Sequence, residues 1–134
     1  MVSVKVLLPD GRIRQLAVEV SSGPPWWLAF HDLDGVPQRF EALDLFEALI
    51  AIRRSFEERG CRLLCAGARP NAWPSAMSRD MGGGRKVFIV QMGMHADLDT
   101  LVDIFDYAGP ELVGTVEEQR SFRPKWLDSY RKRQ

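Results

Sequence analysis

The side chains with the greatest chemical potential lie between residues 65 and 85, in a connection that joins two apolar runs. Cys65 could act as a nucleophile with His31 as its base, but no motif spacing in the sequence places these two residues together. Ser75 and Ser78 likewise have no lysine or histidine at the spacing of a hydrolase motif. Catalysis by these side chains is therefore disfavoured, and we expect Cys65 to be a small apolar strand residue.

Neither a phosphate loop nor a metal site is indicated by the sequence. Glycines at positions 82–84 precede Arg85 and Lys86, but a Walker loop requires Gly-Lys followed by Ser or Thr at the start of a helix. Here an arginine follows and a predicted strand begins, which favours a tight connection. His31 and His95 stand alone, and no Cys–His group has the spacing of zinc ligands, so we expect no metal and no cofactor.

Charged residues around one tryptophan form the strongest candidate for a binding site. Arg69, Arg79 and Asp80 flank Trp73 in the same Gly- and Pro-containing connection, which is expected at the surface. In one interpretation Asp80 pairs with a neighbouring arginine and fixes the connection. In the other, Arg69, Trp73 and Arg79 form a recognition patch, because tryptophan and arginine dominate the energetics of interfaces.

The charges balance overall but are unevenly distributed along the chain. Lys and Arg number 18, Asp and Glu number 18, and the net charge is +0, which argues against a general nucleic-acid binder and a polybasic membrane anchor. Between residues 95 and 119 there are carboxylates but no Lys or Arg, whereas residues 120–134 are mainly basic. This division is either a solvated face beside a basic tail or a means of steering a basic partner. The candidate partner-binding acids are Asp97, Asp99, Asp103 and Asp106.

Length and cysteine usage bound the domain organisation and the compartment. The 134 residues predict a single domain over residues 1–134. Residues 1–6 read as a strand and lack the basic and then apolar pattern of a secretory signal. Cys61 and Cys65 lie about 13 Å apart on one predicted strand, whereas a disulfide needs Cα atoms closer than about 7 Å. With no apolar run near the roughly 18 residues of a spanning helix, these features predict a cytoplasmic protein with reduced thiols.

The first third of the chain predicts antiparallel strands. Residues 1–8 and 13–20 alternate apolar and polar side chains around Pro9-Asp10-Gly11, which predicts a β-hairpin. Residues 26–31 predict a third strand, on which Trp26 and Trp27 must point to opposite faces. One of the two is expected in the core, and the other lies under a helix or is partly exposed as an interface anchor.

Helical periodicity and further apolar runs complete the predicted fold. Residues 41–59 predict a helix with Leu45, Leu49, Ile52 and Phe56 on one face, Arg53 in the basic group near its end, and a stop at residue 60. Residues 61–66 and 85–92 predict strands, the second one central in a sheet because it is almost continuously apolar. Between them, residues 75–81 predict a short helix that ends at residue 82.

The last part of the chain leaves one alternative open. Residues 96–107 fit a helix, but residues 101–105 fit a short strand equally well. Thr115 and Glu118 predict a capping box for a final helix that runs to about residue 132 and is kinked or split at Pro124. The side chains that should face the body are Phe122, Trp126 and Tyr130. The sequence thus predicts an α+β fold: a mainly antiparallel sheet of four to six strands, with an N-terminal β-hairpin, packed against two main helices.

Three stretches of the chain carry a resemblance to a known group of proteins. They are Cys65-Ala-Gly-Ala-Arg69, Pro74-Ser-Ala-Met-Ser-Arg-Asp-Met-Gly-Gly-Gly84 and Val113-Gly-Thr-Val-Glu-Glu-Gln119. With them, residues 26–126 resemble small bacterial immunity-type proteins that accompany polymorphic or contact-dependent inhibition toxins. The resemblance implies a cytoplasmic protein that binds and neutralises the C-terminal domain of a cognate secreted toxin, without catalysis.

The neutral charge bears on the kind of toxin that this resemblance implies. Immunity proteins to nucleases are often strongly acidic, whereas this chain has a net charge of +0. Either the acidic segment acts locally or the toxin is not a nuclease. The alternative function is that of a small enzyme or a ligand-binding module that uses residues 65–85 as its site.

Overall fold

The computed structural model describes residues 1–131, and its first element is the predicted β-hairpin. Strands β1 (Val2–Leu7) and β2 (Ile13–Val20) pair antiparallel, with Val4 opposite Leu16. Between the strands, Gly11 takes a φ of 88° and donates its N–H to the Leu8 carbonyl at 3.0 Å. The turn therefore closes as its Pro-Asp-Gly residues predict.

A five-stranded antiparallel sheet extends this hairpin in the order β4-β3-β2-β1-β5. Its further strands are β3 (Trp26–His31), β4 (Pro37–Ala42) and β5 (Arg62–Leu64). Helix α1 (Leu45–Glu57) connects β4 to β5. Strand β4 corrects the sequence prediction, which began the helix at Glu41. Asp44 has an extended backbone and its carboxylate accepts the Glu47 N–H at 2.8 Å, so the helix can begin only after this cap.

A three-stranded antiparallel sheet lies in the second half of the chain. Its strands are β6 (Ala72–Trp73), β7 (Lys86–Ile89) and β8 (Leu101–Asp103). The short helix α2 (Ala76–Gly82) connects β6 to β7. Strand β7 is the middle strand, as its apolar character predicts. Strand β8 decides between the alternatives for residues 96–107, because Leu101 pairs opposite Phe88 after one turn of 3₁₀ helix.

Helix α3 (Val116–Arg131) closes the described part of the chain. The predicted capping box is present: the Thr115 hydroxyl accepts the Glu118 N–H at 3.1 Å, and the Glu118 carboxylate accepts the Thr115 N–H at 2.9 Å. Pro124 lies within one continuous helix, so the helix is not split there. Trp126 is buried as expected, and the predicted end near Lys132 lies outside the described residues.

The architecture is α+β, with α1 and α3 as the two main helices. Helix α1 packs on the five-stranded sheet through β3, β4 and β5, and Val4, Leu16 and Leu28 belong to the same buried core as its apolar side. Trp26 packs against this core, whereas Trp27 points to the outer face and stacks under Arg39. Within residues 1–131, no helix is both long enough and apolar enough to cross a membrane.

A buried arginine connects the two halves of the fold. Arg53 is 1% exposed, although in the sequence it belongs to a basic group near the end of the helix. Its guanidinium donates to the carbonyls of Gly67 and Gly114, both at 3.2 Å, and to the Gln119 side-chain oxygen at 2.6 Å. Burial lowers the pKa of Arg53, and the carboxylate of Glu57, 3.8 Å away, opposes that shift.

We expect Gln119→Ala to lower the free energy of unfolding by about 2–4 kcal/mol, since it leaves several buried groups unpaired. The Gln119 amide also donates to the carbonyls of Gly67, Arg69 and Ala72. Gln15→Ala makes the same change at an exposed strand position and should cost less than about 0.5 kcal/mol. Equal losses in chemical denaturation would contradict a structural role for the buried amide.

The backbone of Gly83 lies close to the Trp26 ring, so a side chain at this position should destabilise the fold. Its φ is +65°, and a Cβ atom there would lie 2.6 Å from the ring of Trp26. Gly83→Ala should therefore cost about 2 kcal/mol or more in unfolding free energy. A Cβ atom at the adjacent Gly82 would have no other atom within 4 Å among the described residues, so Gly82→Ala should be neutral or stabilise by up to about 1 kcal/mol. Thermal denaturation of both variants measures the contrast.

Candidate functional site

Trp73 is the centre of a group of aromatic and arginine side chains drawn from four helices and strands. The ring of Phe46, on α1, meets it edge to face with centroids 5.6 Å apart. The guanidinium of Arg79, on α2, lies 5.4 Å from the Trp73 ring, and that of Arg123, on α3, lies 4.4 Å from it. We call Phe46, Trp73, Arg79 and Arg123 the aromatic–arginine cluster. Cations at such distances are attracted by the ring faces.

Arg79 is fixed in this cluster by carboxylates of the neighbouring helix. Its guanidinium donates to Asp44 at 2.6 Å and lies 3.6 Å from Glu47. The partner of Arg79 is thus the cap of α1 and not Asp80, which is exposed. The first interpretation of the charged connection, an ion pair made by Asp80, is replaced by a pair between Arg79 and Asp44.

The structure brings together only part of the predicted recognition patch. Trp73 and Arg79 are in contact, as expected for a patch. Arg69 is directed elsewhere, because its Nε donates to the Asn71 side chain at 3.3 Å and its carbonyl accepts from Gln119. Arg123 takes the third position in the patch. It lies 50 residues from Trp73 in the sequence, and no local pattern indicates a contact between residues so far apart.

A cleft opens beside the cluster, between the three-stranded sheet and α3. Its volume is about 250 Å³ and its walls are mainly aromatic and aliphatic. The rings of Trp126 and Tyr130 lie 5.0 Å apart, and His95 packs against Tyr130 at 4.5 Å. The Trp126 indole donates to the Met94 carbonyl at 2.8 Å, which holds this wall in place. The side chains that define the cleft are Trp73, Phe88, Val90, Arg123, Trp126 and Tyr130.

Arg123 is the one charged side chain, among the described residues, that lines this cleft. Its pKa is lowered, first by burial and then by the positive charges of Arg79 and Arg131. Its Nε atom is buried without a hydrogen-bond partner. The cleft therefore contains a partly buried cation whose Nε has no hydrogen-bond partner among the described residues.

Of the four predicted acidic residues, Asp103 is already paired with basic side chains and the other three are exposed. Asp103 is bound by Arg85 at 2.9 Å and lies 3.8 Å from Lys86, so its charge is already paired. Asp106 accepts the Asp103 N–H at 3.3 Å, and Asp97 accepts the Asp99 N–H at 3.0 Å. Asp97, Asp99 and Asp106 are exposed, and their steering of a basic partner stays a prediction.

The geometry of residues 65–85 disfavours the catalytic and phosphate-binding interpretations. Cys65 is 0% exposed, and the hydroxyls of Ser75 and Ser78 cap α2 and bind the Lys86 carbonyl. At Gly84 the Asp44 carboxylate would lie 3.0 Å from an added Cβ, and this negative charge disfavours a phosphate there. Among residues 1–131, no group of three or more His, Cys, Asp or Glu side chains could hold a metal ion.

Comparison with models of known protein families gives no match for this sequence. Comparison with curated proteins likewise gives none.

Burial of the Cys65 thiol gives a prediction about pH. It raises the pKa of Cys65 to about 11, against 9.0 for a solvated thiol. The folded state holds the proton more tightly, so its stabilising effect is complete below about pH 9 and is lost as pH rises toward about 11. Between these limits the unfolding free energy of the native chain should fall by about 2–3 kcal/mol more than that of Cys65→Ala. The unfolding free energies of both proteins would be measured by urea denaturation at several pH values. The same dependence on pH in both would contradict the burial of this thiol.

Proposed function

We propose that this chain is a toxin immunity protein, which binds and neutralises the C-terminal domain of a cognate secreted bacterial toxin in the cytoplasm. The observation that carries the proposal is the aromatic–arginine cluster beside an accessible cleft. Tryptophan and arginine in such settings supply much of the energy of protein–protein interfaces. The resemblance of the three stretches named above supports the same class of function.

The charges around the cluster suit a protein partner of mixed charge. Arg123 lies inside the cleft, whereas Asp97 and Asp99 are exposed just after Ala96, a residue of the cleft wall. A partner that places an acidic group at Arg123 and basic groups around it would meet opposite charges at both places. Such complementarity favours association rate and specificity.

A ligand-binding module is the second candidate, and the cleft itself is the observation that favours it. Trp73, Pro74, Ser75 and Ala76 of the 65–85 connection line it. Its volume of about 250 Å³ falls below the roughly 300–1,000 Å³ typical of drug-sized ligands and cofactors. We therefore place this function second to recognition of a protein.

Co-expression tests the proposed function. The C-terminal domain of a large secreted protein encoded directly upstream would be induced with and without this chain. We expect the domain to arrest growth alone, and this chain to restore growth and elute with it as a stable complex. An unrelated toxin domain is the specificity control, since an immunity protein should not protect against it. Persistent arrest in the presence of abundant folded chain would contradict the proposal.

Substitution of two tryptophans in the same co-expression experiment tests which face of this chain binds the toxin domain. Trp73→Leu should abolish the complex because it removes the ring at the centre of the cluster. Trp27→Leu is the control: Trp27 is also half-buried and stacked under an arginine, with Arg39 at 4.5 Å, but it lies on the outer face of the five-stranded sheet. Loss of binding in Trp27→Leu alone would assign the interface to that face instead.

A further inference from the structure

Arg123, which lines the cleft, has no carboxylate partner among the described residues, whereas three other arginines that are not fully exposed have one. Arg53 lies 3.8 Å from Glu57, Arg79 lies 2.6 Å from Asp44, and Arg85 lies 2.9 Å from Asp103. Within the part of the chain that the structure describes, no ion pair is formed by Arg123.

The neighbours of Arg123 do not compensate for this missing charge. Its guanidinium rests on the Trp73 ring at 4.4 Å, and its Nε is buried without a hydrogen-bond partner. Arg79, whose positive charge acts on it, is itself committed to Asp44. A partly buried cation without an ion-pair partner gains from a facing anion, so an incoming carboxylate would find an unpaired guanidinium here.

The walls of the cleft define what must accompany that carboxylate. Phe88, Val90, Trp126 and Tyr130 present aromatic and aliphatic surface on the sides of the cleft. A volume of about 250 Å³ accommodates a single side chain and its adjoining backbone rather than a cofactor. An apolar group would therefore fit the cleft, and an anion next to it would meet Arg123.

We propose that the cleft receives an apolar side chain of the partner protein that is adjacent in sequence to an aspartate or glutamate, whose carboxylate pairs with Arg123. This inference rests on the proposed function, since it names the part of the toxin domain that the chain recognises. The apolar side chain contributes burial of its surface, and the carboxylate provides the counter-charge that the chain lacks at this site.

The first arm of the test needs no toxin. The full chain would be titrated with acetyl-Leu-Asp-amide and, as the matched probe, with acetyl-Leu-Asn-amide, while the indole N–H resonances of Trp73 and Trp126 are followed. We expect both resonances to shift with the acidic probe and to respond at least about tenfold more weakly to the amide probe. No shift at about 10 mM acidic probe, which would load a site of millimolar affinity, would overturn the proposal.

Two substitutions on the same helix identify the cation responsible. Arg123→Gln should remove the response to the acidic probe, whereas Arg120→Gln should leave it unchanged, because Arg120 is exposed and lines a different groove. Circular dichroism of both variants would show whether they fold. An equal response from Arg123→Gln and the native chain would refute a role for this guanidinium.

The second arm uses the complex with the toxin domain. Arg123→Gln should weaken the complex by about 30-fold or more, the loss expected when one partner of a shielded charge pair is removed, and Arg120→Gln should not. Tight binding of the toxin domain by Arg123→Gln would overturn the inference while leaving the proposed function intact. Specific binding of the acidic probe without rescue from any toxin would leave the carboxylate site standing and refute the immunity function.

Discussion

The fold depends on pairing the two terminal nitrogens of one guanidinium in the protein interior. Arg53 lies on α1, so the segments that supply its hydrogen-bond acceptors must pack beside this helix. Gly67, Gly114 and Gln119 do so from a 3₁₀ turn, a loop and α3, elements far apart in the sequence. Because an unpaired charge there would cost several kcal/mol, this requirement specifies where the second half of the chain packs against the first. The position of α3, and hence of Arg123 in the cleft, follows from it.

The stretches that carry the resemblance to immunity proteins are framework segments in this structure. Gly67 belongs to the first stretch, and Gly114 and Gln119 belong to the third, so these two stretches meet at Arg53. The middle stretch forms α2, whose Gly83 cap lies against the Trp26 ring. These contacts give Gly67, Gly83, Gly114 and Gln119 a packing role. Of the two arginines of the aromatic–arginine cluster, Arg79 belongs to the middle stretch, whereas Arg123 lies outside all three.

Local signals predicted those parts of the fold that depend on local chemistry. The hairpin turn, the cap of α3 and the short helix after Ser75 were all visible in the sequence. Strand β4 was missed because its alternation merges with the helical pattern that begins just after it. The burial of Arg53 was missed because an arginine at the end of an amphipathic helix is ordinarily solvated. Trp73 and Arg79 were singled out, but their long-range partners Arg123 and Asp44 depend on tertiary packing that no short spacing reveals.

Pro124 divides α3 in energetic terms, although the helix is continuous. Proline has no N–H, so the usual helical hydrogen bond to the Arg120 carbonyl is absent. The segment before it is anchored by Gln119 in the interior, whereas the segment after it is held by Trp126 and by the Ser129 hydroxyl, which accepts the Gly93 N–H at 2.8 Å. We therefore expect the turns after Pro124 to unfold locally more readily than the turns before it, and their amides to exchange with solvent sooner. Recognition at the cleft would then draw on the least cooperative part of the helix, and a bound partner would slow exchange there most.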